Sequence, residues 1–219
     1  MADWNLSAHE VRALGCLIEK QATTPETYPL TVNAAHVAAN QKTSRDPLMN
    51  LSSGDTHYAL KQLVEKRLAR HVSSSRADRY EHLAETGLDI TRMQAIVLAV
   101  LMLRGGQTAS EIFARSDRMH RFTDLDEVEH QIERLITKGL AVVLPRRPGQ
   151  RGERYMHLLS GAPVISDEPY IGAESPRPSS RSDLEERVAK LEEQVSILLF
   201  RLNDDAATEQ GNSSTVDAE

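Results

Sequence analysis

The chain has a single cysteine among its 219 residues, so it cannot form an internal disulfide, and this low content is typical of a reducing compartment. No apolar run approaches the roughly 20 residues of a membrane-spanning helix, and no signal-peptide pattern opens the chain. We therefore expect a soluble cytoplasmic protein with no membrane partner. The sequence also lacks metal-ligand spacings, glycine-rich phosphate loops and nucleophile-elbow serines. These absences predict a protein that is not an enzyme and that uses no cofactor and no metal.

Positive charge is in deficit, with 26 Lys and Arg against 32 Asp and Glu. The deficit is uneven, because residues 1–84 carry 10 basic and 9 acidic side chains and residues 85–160 carry 11 and 10. The acidic excess therefore lies after residue 160. The net charge does not exclude nucleic-acid binding, but neither half has the basic excess that would favour it.

A sequence typical of a helix end followed by a strand occurs twice. Leu63–Ala69 (LVEKRLA) is echoed by Leu135–Ala141 (LITKGLA). In each copy two further helical segments come before it, and a polar turn and a second strand follow. Three helices and a two-stranded wing are typical of the winged-helix fold, a helix-turn-helix variant. The sequence therefore predicts an α+β, mainly α protein with tandem winged-helix domains at residues 1–84 and 85–160, each large enough for a core.

Capping patterns predict where the helices begin. A Ser, Thr or Asp precedes five apolar-periodic segments, and in most of them an acidic residue follows three positions later. These caps are Ser7, Thr31, Ser52, Thr108 and Asp124. The first helix is expected to end near Lys20, and Pro25 and Pro29 exclude helix from the segment that follows. Residues 40–51 are expected to be irregular, and strands are expected near 68–73, 79–83, 141–144 and 154–158.

The C-terminal third has a different character. Residues 161–181 contain four prolines and read as a linker, residues 182–202 carry a heptad pattern, and residues 203–219 are acidic and predicted to be disordered. The heptad positions are Leu184, Leu191 and Leu198 at d and Val188, Val195 and Leu202 at a. β-Branched residues at a with Leu at d favour a parallel coiled-coil homodimer. The alternative, a helix folded back onto its own chain, stays open because Leu199 and Phe200 widen the apolar face.

Several short phrases resemble the YceH-type family of uncharacterised bacterial proteins. They are Leu14–Lys20 (LGCLIEK), Thr24-Pro25, Tyr28–Leu30, Asn40–Lys42, Arg45–Pro47 and Met119–Phe122. The resemblance covers roughly residues 5–160 and implies two tandem winged-helix domains. It implies no function, and it carries no catalytic or ligand-binding residue to this chain.

The segment after the second helix contains candidate DNA contacts. Lys42 and Arg45 are placed to neutralise phosphates, and Asn40 or Gln41 to bond an adenine edge. In the structural alternative, which we favour, Asn40 ends the helix in the left-handed region and Arg45 pairs with Asp46.

The third helices of the two halves differ in charge. The first is expected to expose His57, Tyr58, Lys61, Gln62 and Glu65, a set compatible with groove reading and also with an ordinary solvated face. The second is expected to expose Asp126, Glu127, Glu129, Glu133 and Arg134. Because carboxylates repel phosphates, a symmetric tandem DNA reader is not expected.

The second wing carries the densest positive charge, from Arg146, Arg147, Arg151 and Arg154. Arginines in a wing contact the DNA backbone or minor groove, but they also protect the edge of a solvated hairpin, and both interpretations stay open.

Two functions agree with these patterns. The first is a DNA-binding, regulator-like protein that binds double-stranded DNA as a homodimer. The alternative is a protein–protein interaction module whose winged helices dock a partner chain without touching nucleic acid. The arginine-rich wing and the fold favour DNA binding, whereas the near-neutral domains favour docking.

Overall fold

The computed structural model describes residues 4–73, 77–146, 150 and 152–163, all within one compact unit, Met1–Ile165. These residues form a mainly helical α+β protein with small antiparallel sheets. The helices are α1 Ala8–Thr23, α2 Val32–Ala39, α3 Ser53–Glu65, α4 Ala84–Gly87, α5 Arg92–Arg104, α6 Ala109–Ser116 and α7 Leu125–Thr137. The strands are β1 Leu30–Thr31, β2 Ala69–Val72, β3 Arg79–His82, β4 Ala141–Leu144 and β5 Arg154–His157. The predicted coiled coil and acidic tail, and the linker after Pro163, lie outside the described residues.

All five predicted N-caps are confirmed. Ser7 accepts a hydrogen bond from the Glu10 amide, and the Glu10 carboxylate accepts one from the Ser7 amide at 2.7 Å. The same reciprocal arrangement opens α3 and α6, and single side-chain acceptors open α2 and α7. One further capping box, Thr91 with Gln94 at the start of α5, was not predicted. Each box satisfies amides that would otherwise lack a partner at the helix start.

The structure departs from the sequence prediction at two places in the first half. α1 continues past Lys20 to Thr23, and Pro25–Thr27 form a short 3-10 turn where no helix was expected. Pro25 opens this turn, where its missing N–H has no helical partner to lose. Strand β1 was also missed, because two residues leave no periodicity to detect.

The same order of elements occurs twice and closes in the same register. β1 pairs with β3, which pairs with β2, so Leu30 lies opposite Tyr80 and Ala69 lies opposite His82. In the second half Ala141 lies opposite His157, and an isolated bridge joins Gln107 to Tyr155 in the place that β1 occupies in the first half. The duplication read from the sequence is thus present in three dimensions.

The two halves pack together through α1 and α5. Residues 94–103 of α5 are buried without interruption, which is expected of a helix that is hydrophobic all round. Gly15 of α1 lies against α5 so closely that a Cβ atom there would be 2.9 Å from Leu103 Cγ. One hydrophobic core includes Leu14 and Leu60 from the first half and Leu98 and Ile132 from the second. The core is therefore continuous across the predicted boundary between residues 84 and 85.

Candidate functional site

The segment between α2 and α3 is held by a buried arginine. Only 6% of Arg45 is exposed. Its guanidinium donates to the Glu19 carboxylate at 2.5 and 3.2 Å, to Ala38 O at 3.0 Å and to Gln41 Oε1 at 3.0 Å. Its carboxylate partner is therefore Glu19 of α1, not the neighbouring Asp46 that the sequence suggested. These bonds make Arg45 a structural residue and remove it from the side chains available to a phosphate.

Asn40 is also engaged within the protein. Its amide nitrogen donates to Leu51 O and its amide oxygen accepts from Leu51 N, both at 2.9 Å. Both groups that would bond an adenine edge are therefore used on the backbone at the far end of the loop. Asn40 does end α2, but with φ at −95°, so the expected left-handed conformation is wrong.

Sequence reasoning missed a second buried arginine, Arg12 of α1. It is 1% exposed and donates to Ala39 O at 3.1 Å and Pro47 O at 2.6 Å, on either side of Arg45. An arginine between Val11 and Leu14, on the buried side of a helix, is the signal that points to such a role, because a buried guanidinium must find acceptors. Arg12 and Arg45 together fix the irregular loop to α1.

The outward face of α3 presents two of its four candidate residues freely to solvent. Tyr58 is 66% exposed and Lys61 is exposed. His57 is half-buried with its ring edge-on to Tyr80, and Gln62 donates to Glu65 at 2.9 Å. Lys42, in the loop before α3, is exposed as well. Among the candidate residues of the first half, the exposed ones are thus Lys42, Tyr58 and Lys61.

The second hairpin offers less free positive charge than its sequence suggested. Arg154 is folded onto the body of the protein, where it donates to Gly106 O at 2.5 Å and lies 3.2 Å from Glu111. Arg79 occupies the matching position in the first half and donates to Pro29 O at 2.6 Å. The phrase Arg-Tyr-x-His, at residues 79–82 and 154–157, is the sequence signal for this shared structural role. Arg146 is exposed, and Arg147 and Arg151 lie outside the described residues.

The outward face of α7 is acidic, as the sequence predicted. Asp126, Glu129 and Glu133 are exposed together with Arg134. Glu127 is half-buried and accepts from the Thr123 amide at 2.8 Å. This surface disfavours a phosphate backbone.

The described ranges contain no group of three or more His, Cys, Asp and Glu side chains placed to hold a metal ion. None of the helices that the structure describes is long and apolar enough to cross a bilayer.

These features define a mainly helical α+β protein made of a repeated helix–hairpin unit, with a polar loop fixed by buried arginines. The chain belongs to the family described as protein of unknown function, DUF480, which matches residues 6–150. It is similar to a UPF0502 protein of Xanthomonas campestris pv. campestris, with 54% identity over 88% of this chain and 89% of the relative. A UPF0502 protein of Stenotrophomonas maltophilia is 53% identical over 90% of this chain and 92% of its own length. The resemblance to an uncharacterised bacterial family is thereby confirmed.

Proposed function

We propose that this protein is a dimeric, regulator-like DNA-binding protein with two tandem winged-helix domains. The support for the fold is the order helix, short strand, helix, helix, hairpin, in which the short strand pairs with the last strand of the hairpin. That order and pairing are typical of a winged helix. The second half has the same order of helices and hairpin, with the isolated bridge between Gln107 and Tyr155 in place of the short strand. In such a domain the third helix is the element that enters the major groove.

The observation that carries the proposal is the contrast between α3 and α7. The outward face of α3 offers Tyr58 and Lys61 with one carboxylate, Glu65, whereas the face of α7 offers Asp126, Glu129 and Glu133 against one cation, Arg134. In the complex that we propose, the α3 helix of the first domain lies in the groove, with Lys61 and Lys42 on phosphates and Tyr58 against base edges. The second domain contributes Arg146 and the neighbouring arginines of its wing to the backbone, and α7 faces away from the DNA.

Dimerisation is assigned to the heptad segment, which lies outside the described residues. Two copies joined by a parallel coiled coil present two α3 helices, so the preferred target is a site with two related half-sites. Leu191→Lys puts a charge into the seam and is expected to convert the dimer to a monomer at micromolar concentration. Light scattering that finds the variant still dimeric would place the interface elsewhere.

One observation favours a second function, docking of a protein chain. Three of the large apolar side chains exposed in the described part of the chain lie on or between α2 and α3. They are Val37, Leu48 and Tyr58, which are 58%, 65% and 66% exposed. A contiguous patch of exposed apolar side chains is typical of a protein–protein contact, and these three fall within residues 37–58.

Fluorescence anisotropy with mixed genomic duplex fragments tests the DNA proposal. Binding is expected at low salt and should weaken with a slope near 0.9 per phosphate neutralised. The double variant Lys42→Ala with Lys61→Ala should reduce that slope by about two contacts. Arg134→Ala, an exposed cation on the α7 face, is the matched control and should change neither affinity nor slope.

Two results would overturn the proposal. One is no binding at low salt, and the other is equal weakening by Arg134→Ala and by the lysine double variant. A pull-down from native lysate then tests the docking function. Docking is supported if a protein is retained after nuclease treatment and is lost when Val37, Leu48 and Tyr58 are replaced by serine.

A further inference from the structure

A basic pocket of about 390 Å³ opens where the C-terminal ends of four helices, α1, α2, α5 and α6, come together. Its apolar lining residues are Val100, Leu103 and Met119. Five cationic side chains line the basic pocket, and Glu19 is its one acidic side chain. The cations are Lys20, Lys42, Arg104, Arg115 and Arg118. The first two come from the first half of the chain and the other three from the second.

The acidic side chains near the basic pocket do not balance this charge. Glu19 is already paired with Arg45 at 2.5 Å and with Lys20 at 3.6 Å. Arg115 has Glu111 at 3.6 Å. Among the residues that the structure describes, no carboxylate lies within salt-bridge distance of Lys42, Arg104 or Arg118. Positive side chains therefore outnumber the carboxylates that line the basic pocket, five to one.

Arg104 is the most constrained of these cations. It is half-buried at the end of α5. Burial lowers the pKa of its guanidinium and repulsion from Arg115 and Arg45 lowers it further, while the attraction of Glu19 and Asp46 offsets part of this effect. Partly desolvated charges of one sign raise the free energy of the folded protein unless a counter-charge joins them. An anion in the basic pocket would supply that counter-charge.

Helix ends give a competing explanation for part of the charge. Cations near a helix C-terminus interact favourably with the backbone carbonyls, by about 0.3–1 kcal/mol each. Lys20, Arg104 and Arg115 lie in the last turns of their helices. Lys42 and Arg118 lie beyond the helices, so this explanation does not account for the convergence of all five cations on one cavity.

We infer that the basic pocket binds a small phosphate-bearing organic anion. A guanidinium group binds two phosphate oxygens through a pair of N–H donors, and the hydroxyl-bearing residues Thr43 and Ser44 line the same cavity. A volume near 390 Å³ falls within the range of small-molecule sites, and the lining residues Val100, Leu103 and Met119 offer contact to an apolar or aromatic portion. Because both halves contribute cations, the bound anion joins them and stabilises their packing. The inference does not depend on DNA binding.

Isothermal titration of the full-length protein at physiological salt tests this inference, with pyrophosphate, adenosine diphosphate and a short duplex as separate probes. Saturable binding of pyrophosphate and of adenosine diphosphate is expected. Adenosine diphosphate should bind more tightly, because its adenosine group also contacts the apolar lining residues. Arg104→Gln and Arg118→Gln should each weaken binding about tenfold or more. Arg92→Gln, at the opposite end of α5, is the matched control and should stay within about twofold.

Thermal unfolding without any anion separates binding from folding. Arg104 forms no ion pair within the described ranges, and in Arg104→Gln the lost helix-end interaction and the relieved repulsion oppose each other. The variant should therefore change the unfolding temperature little, while abolishing the rise that adenosine diphosphate causes in the parent protein. Absence of saturable binding, or equal weakening of binding by Arg92→Gln, would overturn the inference. The cations would then be explained by their interaction with the C-terminal ends of the helices. Displacement of adenosine diphosphate by the duplex, with duplex binding lost in Arg104→Gln, would also overturn it, because the pocket would then be part of a nucleic-acid surface.

Discussion

The guanidinium of Arg45 lies 2.5 Å from the carboxylate of Glu19, although 26 residues separate them in the sequence. The side chain of Arg45 has no exposed surface and that of Glu19 is 15% exposed, so the pair lies mostly out of water. It joins the irregular loop after α2 to the last turns of α1. The loop that precedes α3 is therefore fixed by the body of the protein, which sets the position at which α3 begins.

Arg45→Ala is expected to destabilise the protein by about 3–5 kcal/mol, because it leaves Glu19 and the Ala38 carbonyl without their buried donor. Urea unfolding measures the loss. Arg121→Ala is the control, since Arg121 and Asp117 form an exposed pair at 3.9 Å that should contribute under about 1 kcal/mol. Similar losses in the two variants would contradict the structural role of Arg45.

Gly15→Ala and Gly54→Ala are expected to act in opposite directions. Alanine favours a helix over glycine by about 1 kcal/mol. At Gly15 the new Cβ meets Leu103 Cγ at 2.9 Å inside the shared core, and overpacking of this kind costs about 1–3 kcal/mol. At Gly54 the nearest atom is Ser52 Oγ at 3.6 Å, so nothing offsets the helix preference. Thermal unfolding should show a lower midpoint for Gly15→Ala and an equal or higher one for Gly54→Ala.

Arg154→Gln is expected to lower stability and to leave the salt dependence of any DNA complex unchanged. The guanidinium donates to the Gly106 carbonyl, and a hydrogen bond from a charged group contributes about 1.5–3 kcal/mol. Arg146→Gln, at an exposed position of the same hairpin, should show the reverse pattern. Denaturant unfolding and fluorescence anisotropy on the same two variants check this prediction. If Arg154→Gln were as stable as the parent protein, Arg154 would again be a candidate for phosphate contact.

Stability is expected to fall as pH decreases from 6.5 towards 4. Burial lowers the pKa of His82 and of His157 to about 4. The unfolded chain, with an ordinary histidine pKa, then binds more protons than the folded chain between pH 6.5 and 4. Each histidine therefore costs up to about 3 kcal/mol by the acidic end of this window and nothing above it. Urea titrations at pH 7.5 and 4.5 measure the loss.

The histidine variants provide the check on this cause. His157→Gln and His82→Gln should each flatten the decline between pH 6.5 and 4.5. A decline of unchanged slope in both variants would assign acid sensitivity to other groups, such as Glu10, whose pKa is lowered by its hydrogen bonds with Lys66 and Ser7 despite burial.

Local signals in the sequence predicted much of this structure. Residues such as Ser7 and Thr108 bond within their own helix turn, so capping could be read from three or four neighbouring letters. The hairpins followed from the duplicated phrase for the same reason. The acidic face of α7 was predicted correctly because exposed positions follow directly from the helical period.

Long-range contacts account for what the sequence did not predict. Arg45 and Arg154 have sequence neighbours typical of exposed loops and wings, but their partners lie 26 and 48 residues away. The basic pocket was missed because its cations come from four separate segments. The sequence predicted the α5 helix, but not its burial on all sides, because that burial depends on packing against α1 and other distant elements.

The packing of Gly15 against Leu103 also bears on how the chain folds during its synthesis. Translation proceeds at about 5–20 residues per second. The apolar face of α1 therefore waits several seconds after it is made before α5 exists to cover it. During that interval the first half lacks the helix that buries Gly15 and the residues around it. Since the two halves share one core, we expect the first half to reach its full stability only after α5 has been made.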